Sequence, residues 1–183
     1  MTNHDPYKLL AKKLDTLPNG FPPTEDGAEL RLLSKIFTPE EAWLASQLRI
    51  TPETPDEIAK RIDAAPEELR LKLKSMAKRG LIKVDYTDKG LCFSLLPFVV
   101  GIYELQISNM DKELASLFEE YYKRAFGEAL SIQPAFHRVI PVNEAIRMDM
   151  EIQPYENAIQ ILDRFKSWGV LDCICRTQKA LIG

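Results

Sequence analysis

A helix-start signal that occurs twice in close succession restricts the fold of this chain more than any other feature. "TPEE" (residues 38–41) and "TPDE" (residues 54–57) each place Thr at the N-cap, Pro at the first helical position and Glu three residues after the cap. The hydroxyl and the carboxylate satisfy free backbone amides reciprocally, and Pro loses no hydrogen bond there. "APEE" (residues 65–68) repeats the pattern with a weaker cap. We predict helices that begin near residues 39, 55 and 66.

The pattern changes period after the third of these helices. "GLIKVDYTDKGLCFSLLP" (residues 80–97) contains a Gly that stops the helix, a β-rich run, the turn "TDKG" and a second β-rich run. Two short runs of this kind joined by a tight turn are typical of a β-hairpin. We therefore predict a two-stranded hairpin with Asp88, Lys89 and Gly90 at its tip.

The flanking segments are predicted to be mostly helical. "DPYKLLAKKLDTL" and "TEDGAELRLLSKIF" are two short helices joined by "FPP", and we expect them to pack on the unit that follows. The predicted fold class is α+β, mostly helical. Its divisions are an N-terminal helical extension (1–37), a helix-helix-helix-hairpin unit (38–105) and a helical segment that leads to two cysteines (106–183).

Downstream of the hairpin we predict a long amphipathic helix over residues 108–126, stopped by Gly127. "PAFHRVIPV" has the composition of a strand, and "PYENAIQILDRFKSW" that of a helix stopped by Gly169. "VLDCIC" then reads as a short apolar strand or a buried turn. The broad apolar side of the helix over 108–126 has two interpretations, a homodimer interface or packing against the two N-terminal helices.

The composition excludes several classes of protein. With 183 residues, 45% hydrophobic and 28% charged, the chain has the balance of a globular protein. No run approaches the roughly 20 apolar residues of a membrane span, and the start lacks the apolar core of a signal peptide. We therefore expect a cytoplasmic protein without membrane contact. The odd number of cysteines, three, favours reduced thiols.

Helix, helix, helix and hairpin in this order resemble the winged helix-turn-helix of bacterial regulators of the MarR and ArsR types. The stretch "TPDEIAKRIDAAPEELRLKLKSMAKRGLIKVDYTDKGLCFSL" carries the resemblance. Ile58 and Ile62 supply the core face of the second helix, and Leu69, Leu73 and Met76 that of the third. The resemblance implies that the third helix enters the major groove of double-stranded DNA while the hairpin, or wing, touches the backbone or the minor groove.

Basic residues follow the third helix and the wing. The candidate DNA-binding residues are Arg70, Lys72, Lys74, Lys78, Arg79, Lys83 and Lys89. Residues 55–90 carry a local charge of +2, which leaves −5 for the remainder of the chain. Glu67, Glu68, Asp85 and Asp88 oppose this interpretation, and no Asn, Gln or second Arg offers bidentate base reading. A winged helix used for protein contacts or oligomerisation is the alternative.

Cys173 and Cys175 are candidate metal ligands. On a strand, residues two apart point to the same face, so both thiolates could meet one metal or cluster. Structural zinc sites and iron-sulfur clusters take four ligands, and the rest of the chain offers only Cys92, His4 and His137. We expect Cys92 to be a small buried residue, and His137 to be no ligand. The metal site is therefore incomplete in this chain.

"KKLDTLPNGFPPTEDGAELRLLSKIFTPEEAWLASQL" and "IQPYENAIQILDRFKSWGVLDCICRTQKALIG" are similar to the N-terminal region of bacterial and archaeal 4Fe-4S ferredoxin-type proteins. The resemblance implies a longer protein with further cysteines and a 4Fe-4S cluster, of which Cys173 and Cys175 would be ligands. The chain itself lacks a Cys-x-x-Cys-x-x-Cys run, so we expect no cofactor in it.

Two functions fit these observations. The first is a winged-helix, regulator-like module that binds DNA within a redox-linked iron-sulfur protein. The second is a module that docks a ferredoxin-type electron-transfer protein onto its redox partner without nucleic acid. We predict no catalytic residues and no enzyme activity, because the chain has no Gly-rich phosphate loop and no Ser, His and Asp arrangement.

Overall fold

The structure, a computed structural model, describes residues 5–130 and 155–183. These residues are mostly helical and contain a small two-stranded antiparallel sheet. The predicted strand in "PAFHRVIPV", His4 and His137 lie outside the described residues. The elements are α1 (Pro6–Asp15), α2 (Ala28–Ile36), α3 (Pro39–Gln47), α4 (Pro55–Ile62), α5 (Pro66–Lys78), β1 (Lys83–Thr87), β2 (Gly90–Ser94), a 3-10 helix (Glu104–Asn109), α6 (Lys112–Tyr121), a π-helical turn (Tyr122–Phe126), α7 (Gly127–Leu130), α8 (Tyr155–Leu162) and α9 (Ile174–Ile182).

The three predicted helix starts are confirmed, at Pro39, Pro55 and Pro66. Both capping boxes form. At the start of α4, the backbone N–H of Thr54 donates to the Glu57 carboxylate at 2.8 Å, and the N–H of Glu57 donates to the Thr54 hydroxyl at 3.2 Å. The third start, after Ala65, has no side-chain cap. Local hydrogen bonding therefore fixes where α3 and α4 begin.

The predicted hairpin is also confirmed. β1 and β2 pair antiparallel from Lys83 opposite Ser94 to Thr87 opposite Gly90. Gly90 thus opens β2, and the tip consists of Asp88 and Lys89.

A short bridge ties the hairpin to the loop between α3 and α4. The N–H of Glu53 donates to the Phe93 carbonyl at 3.0 Å, and the N–H of Phe93 donates back at 2.8 Å. The buried Glu53 carboxylate also holds the Arg61 guanidinium through two hydrogen bonds, of 3.1 and 2.6 Å. Charge pairing of this kind offsets the cost of burying Glu53. The bridge thus joins α4 to the back of the hairpin.

α1 packs on the following unit, as predicted, whereas α2 packs on the segment after the hairpin. α1 lies against α3, and α2 lies against α6. The Tyr7 hydroxyl donates to the Phe37 carbonyl, and the Tyr121 hydroxyl to the Pro22 carbonyl, each at 3.1 Å. One cluster of buried side chains runs through all three predicted divisions and includes Leu10, Leu73 and Ile174.

A buried amide joins the end of α5 to the segment after the hairpin. Gln106, in the 3-10 helix, directs its Nε2 toward the carbonyls of Arg79, Gly80 and Ile102 at 3.2, 3.4 and 3.3 Å. Gly80 has a φ of +71°, and a Cβ added there would lie 2.5 Å from the Leu105 Cβ. A glycine is therefore required where α5 ends.

The helix predicted over 108–126 differs at both ends. α6 begins at Lys112, because the Asp111 carboxylate caps it by accepting from the Leu114 N–H at 2.7 Å. The chain continues through the π-helical turn and α7, so the predicted stop at Gly127 is wrong. Gly127 keeps a helical backbone, and its lack of a side chain admits the Tyr122 carbonyl, which would lie 2.9 Å from an added Cβ.

The apolar side of α6 packs within the chain, against α2 and α9. Leu114, Ala115 and Tyr121 are buried there, while Tyr122 in the next turn is 42% exposed. This arrangement agrees with the second interpretation for α2, and it adds α9, which that interpretation did not include. Homodimer formation through it stays a prediction.

The prediction for "VLDCIC" is wrong. Val170 and Leu171 are 92% and 85% exposed, and neither lies in a strand. Cys173 instead precedes α9, which packs on α6 through the buried Ile174 and Gln178. Ile174 and Gln178 are four residues apart, so a helix places both on the side that faces α6. In the described parts of the chain, no helix has the length and apolar character to cross a membrane.

Candidate functional site

α5 presents its apolar residues to the interior and its basic residues outward. Leu69, Leu73 and Met76 are buried, which fixes the rotation of the helix about its axis. The seven candidate DNA-binding residues on α5 and the hairpin are all exposed. They separate into two groups according to whether a carboxylate of the chain holds them.

Two basic residues of α5 face α3. Lys72 Nζ lies 3.3 Å from a Glu40 carboxylate oxygen. Arg79 pairs with Glu41 and also donates to the Ile36 carbonyl at 3.1 Å. These two ion pairs join α5 to α3. Because a carboxylate already partly neutralises each cation, both are less available to an external anion.

Both basic residues of the hairpin are also paired. Lys83 Nζ lies 2.9 Å from Asp85 on the same strand, and Lys89 Nζ lies 2.9 Å from Glu57 at the start of α4. The Thr54 N–H, followed by the Lys89 ammonium, lowers the pKa of Glu57 to about 2. Glu57 is therefore ionised at neutral pH and holds the tip of the hairpin toward α4.

Arg70, Lys74 and Lys78 form the second group, which we call the α5 stripe. Their four-residue spacing places them along one side of the helix, each about 6 Å farther along the axis. Within residues 5–130 and 155–183, none of the three forms an ion pair. Leu71 beside the stripe is 70% exposed. The stripe is therefore the part of the predicted set that remains available to an external anion.

The acidic residues that opposed DNA binding lie in the first turn of α5. Glu67 and Glu68 are exposed, and neither forms a salt bridge with the stripe in the described part of the chain. A carboxylate in a first turn interacts favourably with the helix dipole. Their position accounts for them as helix-stabilising residues and leaves the middle and end of α5 basic.

An apolar groove, which sequence reasoning missed, lies between α3 and the α4–α5 turn. It has a volume of about 500 Å³, and its apolar walls include Trp43, Leu44, Ile62 and Leu69. Trp43 is 43% exposed. The Trp in "EEAW" is the one signal of this groove in the sequence. The groove itself depends on how α3 packs against α4 and α5.

Cys173 and Cys175 lie at the start of a helix, which corrects their predicted placement on a strand. Cys173 is the residue before α9, Cys175 is the second residue of α9, and both are exposed. Ile174 between them is buried. The two residues are separated by one position, and each thiol lies close enough to affect the pKa of the other. They are therefore neighbours in space despite the change of secondary structure.

The two thiols differ in acidity. The backbone N–H of Arg176, near the Cys173 sulfur, lowers the pKa of that thiol. Partial burial, followed by the neighbouring Cys173, raises the pKa of the Cys175 thiol. Of the pair, Cys173 is the one that ionises first.

The described residues do not complete a metal site. Across the two described ranges, no group of three or more His, Cys, Asp or Glu side chains could hold a metal ion. Cys92 is buried on β2, as predicted, and its Sγ lies 3.3 Å from the Thr87 hydroxyl. A 4Fe-4S cluster takes four cysteine ligands, so Cys173 and Cys175 alone do not fit one. A cluster in a longer native protein stays a prediction.

The chain matches no protein-family model, no curated protein and no solved structure in the comparisons. The resemblances to winged-helix regulators and to ferredoxin-type proteins therefore stay predictions that depend on this chain's own residues.

Proposed function

We propose that residues 38–97 form a winged helix-turn-helix that binds double-stranded DNA through the α5 stripe. The observation that carries the proposal is that Arg70, Lys74 and Lys78 form no ion pair in the described residues, whereas the other four candidate cations do. The order α3, α4, α5 and hairpin supports it, as does the Glu53–Phe93 bridge that holds the hairpin to α4.

The stripe would act by neutralising phosphates. Each cation that contacts a phosphate releases condensed counterions, so affinity falls as salt rises. Arg70 also carries a planar guanidinium that can bind two acceptors of a phosphate or a guanine edge. Because the chain offers few other base-reading side chains on α5, the proposed binding depends mainly on the DNA backbone.

We further propose that this module belongs to a redox-linked iron-sulfur protein. This part rests on the Leu-Pro-Asn-Gly-Phe-Pro and Cys-Ile-Cys-Arg stretches alone. The cluster itself would require cysteines beyond those in this chain. DNA binding by the α5 stripe does not depend on this assignment.

The test is fluorescence anisotropy of a labelled duplex between about 50 and 200 mM salt. The wild-type chain should bind, and the logarithm of its affinity should fall with the logarithm of the salt concentration. Replacing Arg70, Lys74 and Lys78 with Ala should reduce the magnitude of that slope by about 2.7, because three phosphate contacts are lost.

A matched control removes three positive charges elsewhere. Lys8 and Lys12 of α1 and Lys112 of α6 are exposed and form no ion pair in the described residues. Their triple Ala variant should keep most of the affinity and the slope of the wild type. Equal losses in both triple variants would reduce the effect to overall charge and would overturn the proposed surface.

The second candidate, a docking module for a redox partner, is favoured by exposed apolar side chains near the same surface. Leu71 on α5 and Tyr86 on β1 are 70% and 86% exposed, and the apolar groove beside Trp43 is lined by the first turns of α5. Protein interfaces use aromatic residues of this kind. Absence of duplex binding at low salt, for the folded wild-type chain, would favour this candidate.

A further inference from the structure

We propose that Cys173 and Cys175 form an oxidisable dithiol, a redox modification site at the start of α9 that closes to an intrachain disulfide. The proposal does not depend on DNA binding or on an iron-sulfur cluster. It follows from the spacing of the two cysteines, their exposure and their place on either side of a buried anchor residue.

The geometry of the pair permits a bond. The residues are separated by one position, so their Cα atoms are at most about 7 Å apart, and disulfides span Cα distances of roughly 4.4–6.8 Å. Both thiols are exposed, and the buried Ile174 between them holds this part of the backbone in place. Closing the bond therefore requires only local rotation of side chains and of the first helical turn.

Exposure distinguishes this pair from the third cysteine. Cys173 and Cys175 are open to solvent, whereas Cys92 is 1% exposed and contacts the Thr87 hydroxyl. Thiol reactions follow access to solvent. Cys92 therefore serves as an unreactive reference within the same molecule.

The oxidant we name is a hydroperoxide. The Cys173 sulfur attacks one peroxide oxygen, the O–O bond breaks, and a sulfenic acid and one molecule of water or alcohol form. The Cys175 sulfur then attacks the Cys173 sulfur and displaces a second water. Two thiols lose two electrons and two protons in total, and the peroxide is reduced by the same two electrons.

The bond would act on the packing of α9. Ile174 lies between the two cysteines and is buried in the core, and Gln178 one turn later donates to the Ala115 carbonyl of α6 at 3.4 Å. A disulfide that spans Ile174 fixes the backbone on both sides of this anchor. Oxidation would therefore change how firmly the start of α9 is held against α6.

The experiment treats the folded chain with hydrogen peroxide, blocks free thiols by alkylation, and maps tryptic peptides by mass. Cleavage after Lys166 and Arg176 gives one peptide, residues 167–176, that contains both cysteines. We expect this peptide to lose two hydrogen atoms and both alkylation sites, while the Cys92 peptide stays reduced. Reduction with dithiothreitol should restore both sites.

Single variants supply the control. Cys173→Ser or Cys175→Ser should abolish the closed peptide, and Cys92→Ala should leave it unchanged. The proposal is overturned if the 167–176 peptide keeps both alkylation sites, if the oxidised product is a disulfide between two chains, or if Cys92 oxidises equally fast. Mapping of the wild-type chain decides the matter even if the Cys92 variant does not fold.

Discussion

The unit of α4, α5 and the hairpin uses its apolar residues differently from α8 and the segment that follows it. In the first region, Ile58 and Leu73 are fully buried. In the second, Ile159 and Leu162 of α8 are 57% and 52% exposed, as are Phe165 and Trp168 at 59% each. α5 and α8 each have an apolar side. An amphipathic pattern therefore shows which side of a helix can pack, but not whether the described chain supplies a partner for it.

The largest expected effect tests this difference in burial. Leu73→Ala removes a fully buried side chain of α5 and should lower the free energy of unfolding by about 2–5 kcal/mol. Leu162→Ala removes the same atoms from an exposed position, and should change it by no more than about 0.5 kcal/mol. Urea denaturation measures both. Similar losses in the two variants would mean that α8 also has a buried face in solution.

A smaller effect tests how the two regions begin their helices. Thr54→Ala deletes the cap of α4 and should cost about 1 kcal/mol. Thr51→Ala, in the exposed loop just before, is the matched control and should be close to neutral. Cys173, the residue before α9, makes no side-chain cap hydrogen bond. Thermal unfolding that ranked Thr51→Ala as the more damaging change would contradict the assigned cap.

The smallest effects concern acid. The pKa of Glu57 is lowered to about 2, first by the Thr54 N–H and then by Lys89, and the pKa of Glu119 to about 2, first by Lys179 and then by Gln178. Because both folded values lie below the ordinary value of 4.5, the stabilisation is present above pH 4.5 and is lost as the pH falls toward 2.

Glutamine variants separate the two carboxylates. In Glu57→Gln or Glu119→Gln, the melting temperature should decline less between pH 4.5 and 2 than in the wild type. The first reports on the hairpin tip and α4, and the second on α9 against α6. Wild-type and variant profiles that run parallel over this interval would show that the carboxylate is not the group that titrates.

Helix starts and the hairpin could be predicted because their signals are local. The cap of α4 consists of Thr54, Pro55 and Glu57, which lie within one helical turn of each other. α9 could not be predicted in this way, because "VLDCIC" has the composition of a strand. The helix α9 packs on α6 through Ile174 and Gln178, and α6 lies far away in the sequence.

The candidate surface was predictable only in part for the same reason. The spacing of Arg70, Lys74 and Lys78 identifies one side of a helix without knowledge of the fold. That Lys72 and Arg79 bind Glu40 and Glu41 depends on the packing of α5 against α3. The contact between Glu53 and Phe93 is likewise long-range and has no signal in either segment.

The buried Gln106 amide makes the joint behind α5 stiff. To swing α5 away from the segment that follows the hairpin, Nε2 must leave the carbonyls of Arg79 and Gly80. Each buried polar group left unsatisfied costs about 1–3 kcal/mol. Gly80, where α5 ends, also has no room for a side chain. α5 therefore meets any external ligand as a fixed template, and the entropy of orienting it is lost during folding rather than at the encounter.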